Sequence, residues 1–146
     1  RKYHLVLLPG IEYERAEELV REFEPNRVSI GWADRGEVET RPHIDAHEHH
    51  CDKIRSLVGT VEAFTFKAYD ILATRDSIIT QCDRFPGENS VIAPMNTKMS
   101  TIGAALAALS RPAMQICYVV PMVYNFHAYA SPGADVFMIE GLQDVW

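Results

Sequence analysis

The chain of 146 residues has no long apolar run. No stretch approaches the roughly 20 residues that span a bilayer, and the opening Arg1-Lys2-Tyr3-His4 is not the apolar stretch of a signal peptide. A membrane-spanning or exported class is therefore not indicated. An excess of basic charge is also missing: 14 Lys plus Arg stand against 20 Asp plus Glu, a net charge of −6. That balance argues against a surface built to neutralise duplex DNA, although a local basic pocket is compatible with it. Cysteine is scarce, with three residues far apart and no CxxC pair. A disulfide framework is not expected, and a reducing cytoplasm is the default setting. The 8 glycines form neither a phosphate loop nor a dinucleotide fingerprint. What is present is 47% hydrophobic residues, enough for one compact domain over 1–146 that buries a core without staples. The sequence begins without Met and runs straight into a strand-like segment, which suggests a piece of a longer protein.

Short apolar runs alternate with helical patterns. Tyr3 to Leu8 reads as a buried strand ending at the turn signal Pro9-Gly10, and Ala16, Leu19, Val20 and Phe23 recur at helical steps within a helix from Glu12 to Phe23. Pro25-Asn26 stops that helix, and Arg27 to Ala33 completes a β-α-β unit. The charged stretch from Asp34 to Pro42 reads as a loop. Ile44, His47, Cys51, Ile54 and Val58 form the stripe of a second helix closed by Gly59. Strands are expected at Val61 to Tyr69, Ser90 to Ala93, Met114 to Val120 and Asp135 to Ile139, with helices after the first two, the second of these at Ser100 to Leu109. The pattern predicts an α/β fold: a three-layer Rossmann-like open sheet, mainly parallel, of about six strands, with room for an antiparallel strand at one edge.

In such a sheet ligands gather at the carboxyl ends of the strands. The most informative loop is Pro94-Met95-Asn96-Thr97-Lys98-Met99-Ser100-Thr101, which leaves a strand and enters a helix whose first N–H groups are free. Asn96 and Thr97 are cap candidates, Lys98 supplies a cation, and Ser100 and Thr101 supply hydroxyl donors, so one phosphate could meet three kinds of donor. A capped helix with a solvated lysine is the plainer alternative. A second loop, Pro121 to Gly133, concentrates Tyr124, Asn125, His127 and Tyr129 beside Phe126. Aromatic faces stack on nucleobases and Asn or His can read a base edge, although aromatics also serve to cover a sheet end.

At Thr97-Lys98-Met99, followed by the small-residue helix Ala104 to Leu109, the sequence resembles the CRISPR-associated Rossmann fold (CARF) domains, in which a strand enters a Gly-Gly-Thr-Lys turn. Met95 and Asn96 stand where those glycines would be, which limits backbone approach to a ligand. The resemblance implies a dimeric sensor of a cyclic oligonucleotide or related nucleotide in a prokaryotic defence or regulatory protein, a binding domain more than an enzyme. Thr97 and Lys98 would face the ligand, and an effector or assembly partner would be attached. No cofactor, membrane or duplex DNA is implied.

Other constellations carry less. His43, His47 and His50 share a helical spacing, but Cys51 stands where a zincin needs His, and His47 belongs to the core-facing stripe, so no metal site is assigned. Arg15 reads as an exposed helix residue and the three cysteines as small core residues. Two rival functions use the same sheet. One is an enzyme on an anionic substrate, with His127, Asp70 or His43 as general base and Lys98 steadying charge. The other is a scaffold domain whose loops face a protein partner.

Overall fold

Alternation along one central strand sorts the whole chain into two faces. The computed structural model describes residues 2–10, 14–34, 41–118, 120, 136 and 138–141, with backbone alone at 41–47 and 50. Strand β1 (Tyr3–Leu8) sends Leu5 and Leu7 to one side and Val6 and Leu8 to the other, all fully buried. Helices α1 (Glu14–Phe23) and α2 (Arg41–Leu57) cover the Leu5 side. Ala16, Leu19, Val20, Cys51 and Ile54 pack there with Val28 and Ile30 of β2 (Arg27–Asp34). Helices α3 (Ile71–Asp83) and α4 (Lys98–Ser110) cover the Val6 side, where Ile78, Cys82, Ala104 and Ala107 meet Ile92 of β4 (Asn89–Pro94) and Phe66 of β3 (Val61–Lys67). With β5 (Gln115–Ile116) the sheet order is β3-β2-β1-β4-β5, and every pair is parallel.

The order follows from handedness. Right-handed crossovers that step from β1 outward to β3 lay α1 and α2 on one face. The return across the sheet to β4 lays α3 and α4 on the other. The expected three-layer open sheet is thus observed, with five strands among the described residues rather than six. Val136, Met138 and Ile139 of the expected sixth strand are not in a strand, and the rest of that segment lies partly outside the described residues. Strand β5 is far shorter than the expected Met114–Val120. Cys117 N–H reaches Ile92 O at 2.9 Å, but the next rung toward β5 would need an N–H from Pro94, which proline lacks. Helix α2 begins at Arg41, one residue before Pro42, whose ring suits a first helical turn.

Helix α4 packs closely on α3 because Gly103 has no side chain. A Cβ there would lie 2.7 Å from Ile71 O and 2.9 Å from Thr74 Cβ. Gly103→Ala is therefore expected to destabilise the fold by about 1–3 kcal/mol in urea unfolding, outweighing the gain in helix propensity of about 1 kcal/mol. A stabilised variant would contradict this packing.

One polar cluster lies beneath α3 at the amino edge of the sheet. His4 is fully buried on the same side as Val6, its Nε2 2.6 Å from Ser29 Oγ, which also accepts from Gln81 Nε2 at 2.8 Å. Among the described residues His4 Nδ1 has no partner, and the ring meets Phe85 edge-on. Burial, with the nearby Arg27 and Arg84 charges adding to it, lowers the His4 pKa to about 4. An unfolded histidine titrates near 6.5, so as pH falls the unfolded chain takes up its proton first. This contribution to stability is complete above about pH 6.5 and is lost as pH falls toward about 4, a loss of about 3 kcal/mol. His4→Gln should flatten the dependence of unfolding free energy on pH between 5 and 7. An equal slope in both proteins would contradict the assignment.

Candidate functional site

The sheet order reverses between β1 and β4, the place where an open α/β sheet leaves a crevice outside its carboxyl ends. The strand ends there are held in register, with Leu8 opposite Pro94 and Met95 N–H donating to Leu8 O at 3.0 Å. The two turns then touch. A Cβ on Gly10 would fall 2.2 Å from Met95 O, so only glycine permits this approach. Asn96 Nδ2 donates to Pro9 O at 2.6 Å, and Asn96 Oδ1 accepts from Thr97 N–H at 3.0 Å. In the sequence Pro9-Gly10 stands out only as a turn signal and not as part of a site. Its signal was a Pro-Gly turn directly after the first strand, which gains meaning only once β4 is known to lie beside β1.

Thr97 is the N-cap of α4. Its backbone is extended (φ −82°, ψ 161°), and Ser100 N–H donates to its Oγ1 at 3.0 Å. The same hydroxyl donates to Ala68 O, just beyond β3. Its carbonyl accepts from Thr101 N–H at 3.0 Å, Ser100 Oγ at 2.8 Å and Thr101 Oγ1 at 3.0 Å. Ser100 is fully buried. The hydroxyls expected to serve a ligand are thus directed into the fold. The exposed side chain on this turn is that of Lys98, and the N–H groups of Lys98 and Met99 meet no acceptor among the described residues. These N–H groups sit at the positive end of a 13-residue helix.

The structure therefore brings Asn96, Thr97, Lys98, Ser100 and Thr101 into one turn. Tyr124, Asn125, His127 and Tyr129 lie outside the described residues, as does the side chain of His43. Asp70 caps α3, accepting from Ala73 N–H at 2.9 Å. Arg15 is half-buried rather than exposed. The side chains of His47 and His50 are not described either, while His49 is exposed. Burial pushes the thiols of Cys51, Cys82 and Cys117 up, which keeps them protonated and suits core packing. A shallow groove lined by Val20, Arg21, Glu24, Asn26, Val58 and Thr60 opens where α1 and α2 end, at the opposite edge of the sheet. Helix carboxyl ends present carbonyls there, the wrong polarity for an anion.

These features define a Rossmann-like α/β domain with an amide-lined turn at its switch point. No protein-family model and no curated protein matches the sequence. Solved structures do match in fold. Over 84% of this chain it is similar to Csm6 of Enterococcus italicus, bound to cyclic hexa-2'-fluoro-hexa-dAMP, with a TM-score of 0.64 and 14% identity. Over 82% it is similar to Can2 of Sulfobacillus thermosulfidooxidans in complex with cyclic tetra-adenylate, with a TM-score of 0.59 and 16% identity. The fold is CARF-like, in agreement with the resemblance at Thr97-Lys98. The chain spans 34% of the first of those chains and 32% of the second.

The geometry separates two neighbouring residues. Thr97→Ala removes a cap and a tie to β3 and should lower stability by about 1–2 kcal/mol. Lys98→Ala, at an exposed position, should leave it within about 0.5 kcal/mol. Chemical denaturation of both variants checks this, and equal losses would contradict the inward placement of Thr97.

Proposed function

We propose that the chain is the nucleotide-sensing domain of a prokaryotic defence or regulatory protein, holding a phosphorylated ligand of the cyclic oligoadenylate class at the turn from β4 to α4. The observation that carries this reading is the exposed Lys98 beside two N–H groups that meet no acceptor among the described residues, at the switch point of the sheet. An anion gains there from the helix end, from two backbone donors and from an ammonium together. The ligand class comes from two proteins of similar fold, each bound to a cyclic adenine nucleotide. Tyr124, Asn125, His127 and Tyr129 supply the stacking and base-edge contacts. Binding needs no bond to break, so the domain acts as a sensor rather than a catalyst. Two copies form the working unit, and an attached effector reads the bound state.

Isothermal titration of cyclic tetra-adenylate and cyclic hexa-adenylate tests this reading, with NAD as a control. One of the cyclic ligands should bind and be recovered intact. Lys98→Ala should weaken that binding by about tenfold or more with an unchanged melting temperature. Absence of heat with either cyclic ligand, or binding indifferent to Lys98→Ala, would overturn the proposal.

A further inference from the structure

Helix entrances with spare N–H groups are common, and most hold nothing. This one is fastened at two strand ends by two adjacent side chains. Asn96 reaches across the switch point to Pro9 O at 2.6 Å while its Oδ1 holds Thr97 N–H at 3.0 Å. Thr97 Oγ1 donates to Ala68 O beyond β3 and accepts from Ser100 N–H inside α4. Ala68 is fully buried, and its own N–H donates to Asp34 O at 3.2 Å at the end of β2. The β4–α4 turn is thereby tied to β1 by Asn96 and to β3 by Thr97, and β3 in turn to β2. Both side chains are only part-exposed and their polar atoms point into the fold.

We infer that Asn96 and Thr97 are positioning residues that hold the Lys98 and Met99 N–H groups in a fixed geometry, and that they do not themselves touch the ligand. The inference rests on the sensing role proposed above and adds a division of labour to it. Where a Gly-Gly turn lets backbone approach a ligand by having no side chains, this turn uses side chains to fasten the backbone. Pre-organised donors lose less conformational entropy on binding, so the ties are read out as affinity. Each tie is one hydrogen bond, whose loss is felt as a several-fold change in binding.

The test compares Thr97→Val, which keeps the shape and removes the hydroxyl, with Thr97→Ser, which restores the hydroxyl, and with Asn96→Ala as an independent cut. Affinity for cyclic tetra-adenylate and cyclic hexa-adenylate is measured well below the melting temperature. Backbone 15N order parameters of Lys98 and Met99 are measured without ligand. Positioning predicts that Thr97→Val and Asn96→Ala lower those order parameters and weaken binding several-fold, and that Thr97→Ser recovers both. Weaker binding with unchanged order parameters means direct contact and overturns the inference. A lower melting temperature with unchanged affinity means a purely structural role and overturns it too. If the unmodified protein binds a cyclic ligand while the variants bind it equally well, the inference fails and the sensing role stands. If the unmodified protein binds neither ligand, both fall together.

Discussion

The parallel pairing of β1 with β4 is the constraint on which the rest depends. Its register runs the full length of both strands, from Tyr3 opposite Asn89 to Leu8 opposite Pro94. It fixes where the chain doubles back across its own sheet. Because β2 and β3 lie on one side of β1 and β4 and β5 on the other, the loops after β1 and β4 diverge to opposite faces. The place where they part is the only position in such a sheet where helix entrances and strand ends converge on open space. Gly10 and Asn96 then hold the two turns against each other there.

Two kinds of polarity are kept apart by the sheet. At the carboxyl ends, helix α4 begins with its N–H groups and the exposed Lys98. At the amino ends, α1 and α2 finish with carbonyls, and the buried His4–Ser29–Gln81 cluster is kept neutral by desolvation and by arginines that pair with Glu62 and Glu88. Arg27 also lies over the Phe85 ring at 3.8 Å. The direction in which the helices run thus gives one edge the polarity that suits an anion, before any particular side chain is considered.

Much of this was legible in the residues. The apolar runs at Tyr3–Leu8 and Asn89–Pro94 and the helical stripe Ala16, Leu19, Val20 identify their elements to within a residue or two, because strands buried on both faces leave few alternatives. The turn at Thr97-Lys98 was recognisable from a cap residue followed by a cation. Which hydroxyls would face outward was not, since Ser100 and Thr101 are equally good donors to a ligand or to the Thr97 carbonyl, and only the backbone geometry decides. The length of β5 was hidden for a related reason. Its apolar character is real, but the number of rungs depends on whether Pro94 can donate, a property of a different strand. His4 reads as one more residue in an apolar run until Ser29, Gln81 and Phe85 close around it.

The central claim is that a negatively charged nucleotide settles on the amides at the start of α4. The most direct measurement is a two-dimensional 1H–15N spectrum recorded during titration with cyclic tetra-adenylate and cyclic hexa-adenylate. The account predicts that the largest amide shifts fall on Lys98 and Met99, with smaller ones at Gly10 and Ala68 through the ties between the turns. Largest shifts around Glu24, Asn26 and Thr60 at the opposite edge, or none at Lys98 and Met99, would contradict it.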